Sequence, residues 1–376
     1  MKKITLALLI TFVVFGCGGG SEKEVTPPII ERKPVITHYN VKSTWYELPQ
    51  YFNGIPKYNG ILGTYTERHL PSAVSCYVGD FATFSDNTGN GVNVNVINLK
   101  TGYYGIVHNN ALNDAHQNGA IQCIGNVLYL AVSTVGVRAN GAMYRSLDGI
   151  LWERIESNSY KAYPQLHNVK GKLLHLYTVY NTTENPYPTR NIYSSCNNQR
   201  IVNDGMGHYM LSHYDGEYVH VVYNDHPDGF VDLRENIWHV KSVDGCSWSE
   251  PELWYAGGLL FLKDLQSFDG ELVALAAISN SMDPTKSEPK LYKITSGKSE
   301  FVMDLNHNYT SGVMAPDGGV IFPTPDILHY AGGSFLGMTY VNYIRRIHGA
   351  PNSYFMAVGT NWMAKSDAWV ARVDLR

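Results

Sequence analysis

The amino-acid sequence predicts an all-β fold, and three observations support this. The 376 residues are 44% hydrophobic and 12% aromatic but only 16% charged, well below the roughly 25% charge of an average protein. Glycine (35 residues) and tyrosine (27 residues) are abundant, which is typical of many strands joined by tight turns. No segment shows the apolar period of an amphipathic helix. The composition therefore excludes disorder, coiled coils and helical solenoids.

The charge balance argues against a nucleic-acid partner. Lysine and arginine number 29 against 33 aspartates and glutamates, a net charge of −4. A nucleic-acid-binding domain usually carries a basic excess. We therefore expect that any polyanion bound by this protein meets a local basic surface rather than a positive field of the whole molecule.

The first 38 residues are predicted to be a targeting segment and a tether. Lys2 and Lys3 precede an apolar run over residues 4–16, which is shorter than the roughly 20 residues of a membrane-spanning helix. The run ends in Val-Phe-Gly-Cys and resembles a lipobox, so we expect residues 1–16 to be removed and Cys17 to carry fatty acid (palmitate). An ordinary signal peptide that happens to contain a cysteine is the alternative. Gly18 is typical of sorting to the outer membrane, and residues 17–38 are predicted to form a flexible tether.

A repeated motif sets the predicted architecture of residues 39–376. The pattern S-x-D-G-x-x-W begins at Ser146 and again at Ser242, 96 residues later, and Ser194 stands midway. Repeats of about 48 residues are typical of propellers, in which each blade is a four-stranded sheet. The length available after the tether would hold seven repeats, so the sequence predicts one seven-bladed β-propeller.

Strand-like segments follow the same period. Buried strands are predicted over residues 127–132, 173–179, 218–223 and 271–277, each after a glycine turn and each rich in β-branched or aromatic residues. The S-x-D-G-x-x-W pattern is similar to the Asp-box of sialidase-type repeats. That resemblance implies a structural role for Asp148 and Asp244 in a hairpin turn, with the tryptophan packed between blades.

Four cysteines remain if Cys17 is lipidated: Cys76, Cys123, Cys196 and Cys246. An exported protein can form disulfides, and four cysteines allow three pairings. Buried thiols are the equally weighted alternative.

Candidate site residues are expected on loops around the central channel of a propeller. His116, in the loop segment Asn-Asp-Ala-His-Gln-Asn, is a candidate general base. Tyr163, Gln165 and His167 should alternate onto one face of an extended segment. Two further clusters surround His208 and Tyr209, and His226. Each of these clusters would, in isolation, more often be an ordinary packed or surface feature.

Three residues are candidate ligands of a structural zinc site. His226, His239 and Cys246 could supply two nitrogens and one sulfur to zinc. Their spacing matches no recognised zinc motif.

Taken in order, these clusters resemble a known family. The stretches NDAHQNGA, YPQL followed by GKLLHLY, GHYMLSHYDGEYVHVVYNDHPD and NIWHVKSVDGCSW resemble bacterial neuraminidase-repeat propellers related to ulvan lyases. Members of that family show D-D-H-N-x-P-A, Y-P-Q-L, R-P-Y, a strand ending in D-G-H-P, and N-x-I-Y-H. The resemblance spans roughly residues 63–252.

The resemblance implies β-elimination on a uronate-containing sulfated polysaccharide. It assigns proton transfer to His116 and Tyr163, and neutralisation of the uronate carboxylate to an arginine. Three family positions differ here: a second histidine is replaced by residues 133–137, an arginine after Y-P-Q-L is replaced within residues 177–179, and the arginine of R-P-Y is His208. The arginine clamp, which would neutralise the uronate carboxylate, must therefore come from another part of the sequence.

The sequence thus predicts a polysaccharide lyase, monomeric, held at the outer membrane by its lipid, with an acidic polysaccharide as its partner. The predicted catalytic residues are His116, Tyr163 and Arg190. The predicted substrate-binding residues are Asn118, Arg138, His167, His208 and Tyr209, with Arg345 and Arg346 as remote alternatives for the clamp. A non-catalytic glycan-binding lipoprotein is the main alternative, and a sialidase-like hydrolase ranks last.

Overall fold

The computed structural model describes residues 41–48, 68–87, 92–110, 117–133, 141–157, 161–181, 189–202, 208–225, 235–281, 288–305, 312–315, 320–321, 340–350, 352–359 and 368–375. All of them belong to one compact unit, Ile36–Arg376. Their regular secondary structure is β-strand, which confirms the all-β prediction. Within these ranges there is no helix of the length and apolar character needed to cross a membrane.

The strands form consecutive four-stranded antiparallel sheets, which we number as blades. Blade 1 contains β2 (Ala73–Cys76), β3 (Gly79–Asn87), β4 (Val92–Asn98) and β5 (Tyr104–Asn110). Blade 2 contains β6 (Gly119–Ile124), β7 (Val127–Val132), β8 (Ala142–Ser146) and β9 (Glu153–Ser157). Blade 3 contains β10 (Ala162–Val169), β11 (Lys172–Asn181), β12 (Thr189–Ser194) and β13 (Gln199–Arg200).

Blades 4 and 5 repeat this arrangement. Blade 4 contains β14 (His208–Tyr214), β15 (Val219–Asn224), β16 (Asn236–Ser242) and β17 (Glu252–Ala256). Blade 5 contains β18 (Leu259–Phe268), β19 (Glu271–Ser279), β20 (Lys290–Thr295) and β21 (Lys298–Asp304). The four buried strands predicted from the sequence correspond to β7, β11, β15 and β19, which confirms the repeat.

Blade 6 joins the two ends of the propeller. It contains β24 (Tyr340–Arg346), β25 (Ser353–Gly359) and β26 (Ala368–Leu375), and its outer strand is β1 (Val41–Leu48). β1 pairs antiparallel with β26, from Val41 opposite Leu375 to Leu48 opposite Ala368. Because this sheet takes strands from both ends of the chain, its hydrogen bonds close the ring.

The number of blades differs from the prediction. The described residues form six four-stranded blades, not seven, together with a two-stranded sheet of β22 (Val313–Met314) and β23 (Val320–Ile321). This small sheet contacts β18 of blade 5 and β24 of blade 6. The predicted number of seven blades came from dividing the chain length by the repeat length, which assumes that every repeat supplies four strands. Here one repeat shows two short strands, and blade 6 borrows its fourth strand from the N-terminal side.

In blades 1 to 5 the first strand of each blade contacts the first strand of the next, and β22 connects β18 to β24, so these inner strands line the central channel. We call the end of the channel where the inner strands begin the upper end, and the end where they finish the lower end. β1 begins at the lower end, since Val41 pairs with Leu375, the last residue of β26. The chain therefore enters the propeller from its lower side.

The S-x-D-G-x-x-W motif forms the lower turn of blades 2 and 4. In blade 2, Oδ1 of Asp148 accepts hydrogen bonds from the backbone N–H groups of Ile150 and Leu151, both at 2.8 Å. Asp244 makes the equivalent contacts in blade 4. The indole N–H of Trp152 donates to the carbonyl of Gly149 at 3.3 Å. The predicted structural role of both aspartates is confirmed.

Two disulfides join neighbouring blades at their lower ends. Cys76 pairs with Cys123 between blades 1 and 2, and Cys196 pairs with Cys246 between blades 3 and 4. The alternative of four buried thiols is therefore wrong. Each bond closes a loop of about one repeat, 47 or 50 residues, and so ties one blade to the next.

Candidate functional site

A short segment before β2, residues 68–72, runs along the inner strands and fixes the centre of the propeller. The backbone N–H of Leu70 donates to the carbonyl of Pro164 (3.2 Å), and the carbonyl of Leu70 accepts from the N–H of Leu166 (2.7 Å). The carbonyl of Pro71 accepts from the N–H of Ile121 at 2.7 Å. The segment thus connects blades 2 and 3, and this backbone pairing holds its side chains in the channel region.

Two tyrosines stand at strained positions near the upper end. Tyr163 and Tyr209 both have a φ of +49°, a left-handed conformation that non-glycine residues rarely adopt. Each lies in a β-bulge near the start of an inner strand; in β10 the register shifts between Ala162 and Gln165. A fold keeps such strain only where the surroundings impose it, and such positions concentrate at functional sites.

These tyrosines form a compact cluster with one histidine and two arginines. The rings of Tyr163 and Tyr209 meet edge to face with centroids 5.5 Å apart. His69 lies edge to face against Tyr163 at 5.6 Å. The guanidinium carbons of Arg68 and Arg190 lie 5.2 and 5.6 Å from the centre of the Tyr209 ring. We call these five residues the tyrosine–arginine cluster.

The cluster draws on distant parts of the chain. Arg68 and His69 come from the segment before β2, Tyr163 and Tyr209 from the inner strands of blades 3 and 4, and Arg190 from the start of β12. All five side chains are buried, with Arg190 and Tyr209 the most exposed at 8% and 6% and His69 the least at 0%. A ligand would therefore meet Arg190 and Tyr209 first.

Asn118 is linked to this cluster through the backbone of blade 2. Its carbonyl accepts a hydrogen bond from the N–H of Ser133 at 2.8 Å. The hydroxyl oxygen of Ser133 in turn accepts from the N–H of Tyr163 at 3.3 Å. The side-chain oxygen of Asn118 accepts from the hydroxyl of Ser85. In the described contacts Asn118 supports the bulge that carries Tyr163.

His167 lies apart from the cluster, contrary to the predicted alternation. The bulge at Tyr163 interrupts the strand period, so only Gln165 and His167 share a face. Their side chains meet at Ser212: Nε2 of His167 lies 2.6 Å from the hydroxyl, which donates to Oε1 of Gln165 at 2.5 Å. Because the bulge takes up one residue, His167 lies about three strand steps beyond Tyr163, which is on the order of 10 Å at about 3.3 Å per residue.

A group of histidines occupies the lower part of the channel. Burial lowers the pKa of His167 and of His213 to about 3 and that of His348 to about 4. The charges of neighbouring histidines lower the pKa of His167 and His213 further, and Arg346 acts on His213 and His348. These imidazoles are therefore neutral at neutral pH. Nδ1 of His348 lies 3.1 Å from the amide nitrogen of Gln122.

The predicted zinc set is not assembled. Cys246 cannot act as a thiolate ligand, because its sulfur is bonded to Cys196. Nε2 of His239 lies 3.0 Å from Nδ1 of His220, and its Nδ1 lies 3.5 Å from a carboxylate oxygen of Glu252. The part of the chain that the structure describes contains no group of three histidine, cysteine or acidic side chains suited to a metal.

Several predicted residues lie outside the described residues: His116, Arg138, His226 and Cys17. For His208 the structure gives the backbone only, at the start of β14 beside Tyr209. The alternative arginines are described: Arg345 is buried and donates from Nη1 to the carbonyl of Ile344, and Arg346 donates from Nη2 to the carbonyl of Met314.

Sequence reasoning missed Arg68, His69 and Lys263. Arg68 and His69 lie shortly before the strand β2, and no local sequence pattern marked them. Lys263 is 3% exposed and lies at the bulge of β18, between Leu262 and Asp264. A lysine within an otherwise apolar run was its signal. The bulge of β18 occupies the same place in its inner strand as the bulges that carry the two tyrosines.

The chemistry available at the tyrosine–arginine cluster follows from its members. Guanidinium groups bind carboxylates and sulfates, often through two hydrogen bonds at once. Phenol and imidazole are both able to transfer protons. Aromatic rings beside cations form a surface suited to a charged sugar ring. The cluster therefore combines anion binding with proton transfer.

Comparisons with known proteins give the chain's likeness at the level of overall structure. No family model and no curated protein sequence matches it. Among solved structures it is similar to Trypanosoma rangeli sialidase in complex with the inhibitor DANA (10% identity, TM-score 0.44, 81% of this chain and 54% of that chain). It is also similar to Kuenenia stuttgartiensis hydrazine synthase (11%, 0.49, 85% and 96%) and to a puromycin hydrolase variant complexed with PGG (10%, 0.49, 83% and 53%). The chain spans about half the length of the sialidase, and likeness at these TM-scores assigns no activity.

Proposed function

We propose that this β-propeller acts on acidic carbohydrate, and specifically that it is a polysaccharide lyase that cleaves a uronate-containing, sulfated polysaccharide such as ulvan by β-elimination. The observation that carries the proposal is the tyrosine–arginine cluster: two tyrosines held in left-handed backbone conformations, with Arg68 and Arg190 both within 6 Å of the Tyr209 ring and His69 against Tyr163.

The reaction needs one anion-binding group and two proton carriers. A base removes the proton from C5 of the uronate, and the electrons of that C–H bond form the C4=C5 double bond. The C4–O4 bond breaks, and an acid protonates the departing O4. The C5 proton is acidic enough only when the neighbouring carboxylate is neutralised by a cation. The products are an unsaturated uronate and a free hydroxyl.

The cluster supplies each of these groups. Arg190 and Arg68 would bind the carboxylate in place of the family arginines that this sequence lacks. Tyr163 is the proposed proton carrier, as the family resemblance implies. The two guanidinium groups lie against the ring of Tyr209, which in turn contacts the ring of Tyr163. The second carrier is an imidazole: His116, as the family resemblance implies, or His69, which the structure places against Tyr163 at 5.6 Å.

The proposed location is the outer membrane, with Cys17 as the lipid anchor and the propeller monomeric. Two disulfides support export, since such bonds persist in oxidising compartments and each of them joins two blades. An exported enzyme also meets polymeric substrates that do not enter the cell.

Ultraviolet absorbance of the unsaturated uronate tests this function. The purified protein is incubated with ulvan and with other uronate polymers, beside Tyr163→Phe and Arg190→Gln. We expect the wild type to produce absorbance, Tyr163→Phe to lose about 10²–10⁴-fold of the rate as expected for removal of a general acid–base group, and Arg190→Gln to raise KM as well. Parallel His69→Gln and His116→Gln variants identify the second proton carrier.

The same set of variants separates a lyase from a glycan-binding protein. The two arginines could serve polymer binding alone, without proton transfer. Binding of polymer by wild type, weakened by Arg190→Gln but accompanied by no absorbance change, would replace the lyase with a non-catalytic glycan-binding lipoprotein. Full activity in Tyr163→Phe would refute the proposed site.

A further inference from the structure

The lower side of blades 1 and 2 exposes an unusual group of apolar side chains. In the S-x-D-G-x-x-W turn of blade 2, Leu147, Ile150 and Leu151 are 69%, 56% and 76% exposed. Tyr77 stands in the β2–β3 turn and Tyr103 at the end of the β4–β5 turn, 86% and 56% exposed. We call these five residues the lower apolar patch.

The members of the patch belong to neighbouring turns. Gly149, between Leu147 and Ile150, lies directly against the ring of Phe81 in β3. The β2–β3 turn is likewise close to the β4–β5 turn, because the N–H of Leu99 donates to the carbonyl of Asp80 at 2.8 Å. The three turns therefore sit side by side on the lower side of two adjacent blades.

The fold itself does not require apolar residues in this turn. The turn of blade 4 has the same hydrogen bonds around Asp244, yet its positions equivalent to Ile150 and Leu151 are Cys246 and Ser247. Cys246 is used in a disulfide, and Ser247 is polar. The position equivalent to Leu147 is Val243, which is also apolar and is 49% exposed. The two aliphatic side chains Ile150 and Leu151 of blade 2 therefore call for an explanation other than turn geometry.

The charged side chains of blade 2 nearest to these residues are exposed, but each has a partner. Oδ1 of Asp148 accepts hydrogen bonds from two backbone N–H groups and from the hydroxyl of Ser146. Arg145 is paired with Glu153 at 2.7 Å. An apolar surface whose neighbouring charges are already satisfied can approach a lipid surface at low electrostatic cost.

The position of the N-terminal strand identifies the partner. β1 begins at the lower end, in blade 6, and blade 6 is the neighbour of blade 1, since the N–H of Ser75 donates to the carbonyl of His348 at 2.8 Å. The strand β1 therefore begins on the same side as the patch, in a neighbouring blade. A lipid on Cys17 would hold the chain from the side on which β1 begins.

We propose that the lower apolar patch rests on the lipid surface to which Cys17 is anchored, so that the tyrosine–arginine cluster faces away from the membrane. This inference rests on the proposed lipid anchor but not on the lyase activity. Leu147, Ile150 and Leu151 enter the boundary between headgroups and acyl chains, and the two tyrosines lie at headgroup level, where aromatic rings with a polar tip are favoured. The arrangement fixes the orientation of an enzyme whose polymer substrate arrives from the other side.

Sedimentation with phosphatidylcholine vesicles tests the patch separately from the lipid. The mature chain beginning at residue 17 and carrying Cys17→Ser, which has no lipid, is compared with the same chain carrying Leu147→Ser and Leu151→Ser. The matched control carries Ile155→Ser and Phe301→Ser, two exposed apolar residues of outer strands. We expect the patch variant to lower the vesicle partition coefficient at least about fivefold, and the control to change it less than about twofold.

The outcomes separate this inference from the proposed anchor. If mass analysis shows that Cys17 carries no lipid, the anchor fails, while loss of binding in the patch variant alone still supports the membrane contact. Equal vesicle binding by both variants overturns the inference. It is also overturned if the patch variant keeps its vesicle binding but loses affinity for the polysaccharide or for a second copy of the chain.

Discussion

Replacing Gly149 by alanine should destabilise the propeller because the turn of blade 2 has no room for a side chain. A Cβ at this position would lie 2.2 Å from Cε1 and 2.4 Å from Cζ of Phe81. Phe81 is buried in the core between blades 1 and 2 and cannot swing away. The residue also has a φ of +74°, which favours glycine.

The size of the effect follows from these two terms. A left-handed conformation costs a non-glycine residue about 1–2 kcal/mol, and overpacking of a core typically costs about 1–3 kcal/mol. Gly149→Ala should therefore lower the free energy of unfolding by about 2–5 kcal/mol. Gly125 is the control, because its φ is +59° and nothing lies within 4 Å of a Cβ built on it. Gly125→Ala should therefore lower the free energy of unfolding only by the cost of the left-handed conformation.

Urea unfolding followed by tryptophan fluorescence measures both variants. A double variant tests the cause: Phe81→Leu makes room, so adding it to Gly149→Ala should cost about 1–2 kcal/mol less than the sum of the single losses. Equal losses for Gly149→Ala and Gly125→Ala would refute the close packing of blade 2 against blade 1. Strict additivity of the double variant would refute the assigned contact.

Three further predictions concern bonds and protonation. Thiol titration of the unfolded, unreduced chain should find no free cysteine other than Cys17, and reduction should cost about 4 kcal/mol for each closed loop. Backbone N–H groups of the turn lower the pKa of Asp148. Its carboxylate therefore contributes to the stability of the fold above the ordinary carboxyl pKa, and this contribution is lost as pH falls through the lowered value. Asp148→Asn should destabilise the fold at neutral pH but not in acid. His167, His213 and His348 have pKa values of about 3 to 4 in the fold. Their contribution to stability should therefore be complete above about pH 6.5 and decrease as pH drops towards 4. Urea unfolding midpoints that stay constant over this interval would contradict the burial of these histidines as neutral groups.

Most of the fold followed from local patterns. The turns around Asp148 and Asp244 could be predicted because serine, aspartate and glycine at this fixed spacing satisfy one hairpin geometry. The second strands of blades 2 to 5 could be predicted because burial on both faces demands continuous apolar runs. The number of blades could not be predicted from the repeat length. That length does not reveal that one repeat shows only two short strands, or that Val41 begins a strand of the last blade.

The candidate site was only partly readable from sequence. Tyr163 and Tyr209 were selected from motifs, and Arg190 as an arginine near the positions where the family arginines are missing; the structure brings the three together. Arg68 and His69 were missed because their approach depends on backbone pairing between blades, which no local pattern encodes. The alternation that placed His167 with Tyr163 was wrong because a bulge inserts extra residues and resets the period of the strand.

The central claim is that a uronate carboxylate binds between the two arginines at the upper end of the channel. A crystal structure of the Tyr163→Phe variant with a uronate oligosaccharide measures this directly. We predict that the carboxylate lies within hydrogen-bonding distance of Arg68 or Arg190, with C5 of the same sugar next to residue 163. An oligosaccharide bound at the lower end, or bound at the upper end with its carboxylate away from both guanidinium groups, would contradict the account.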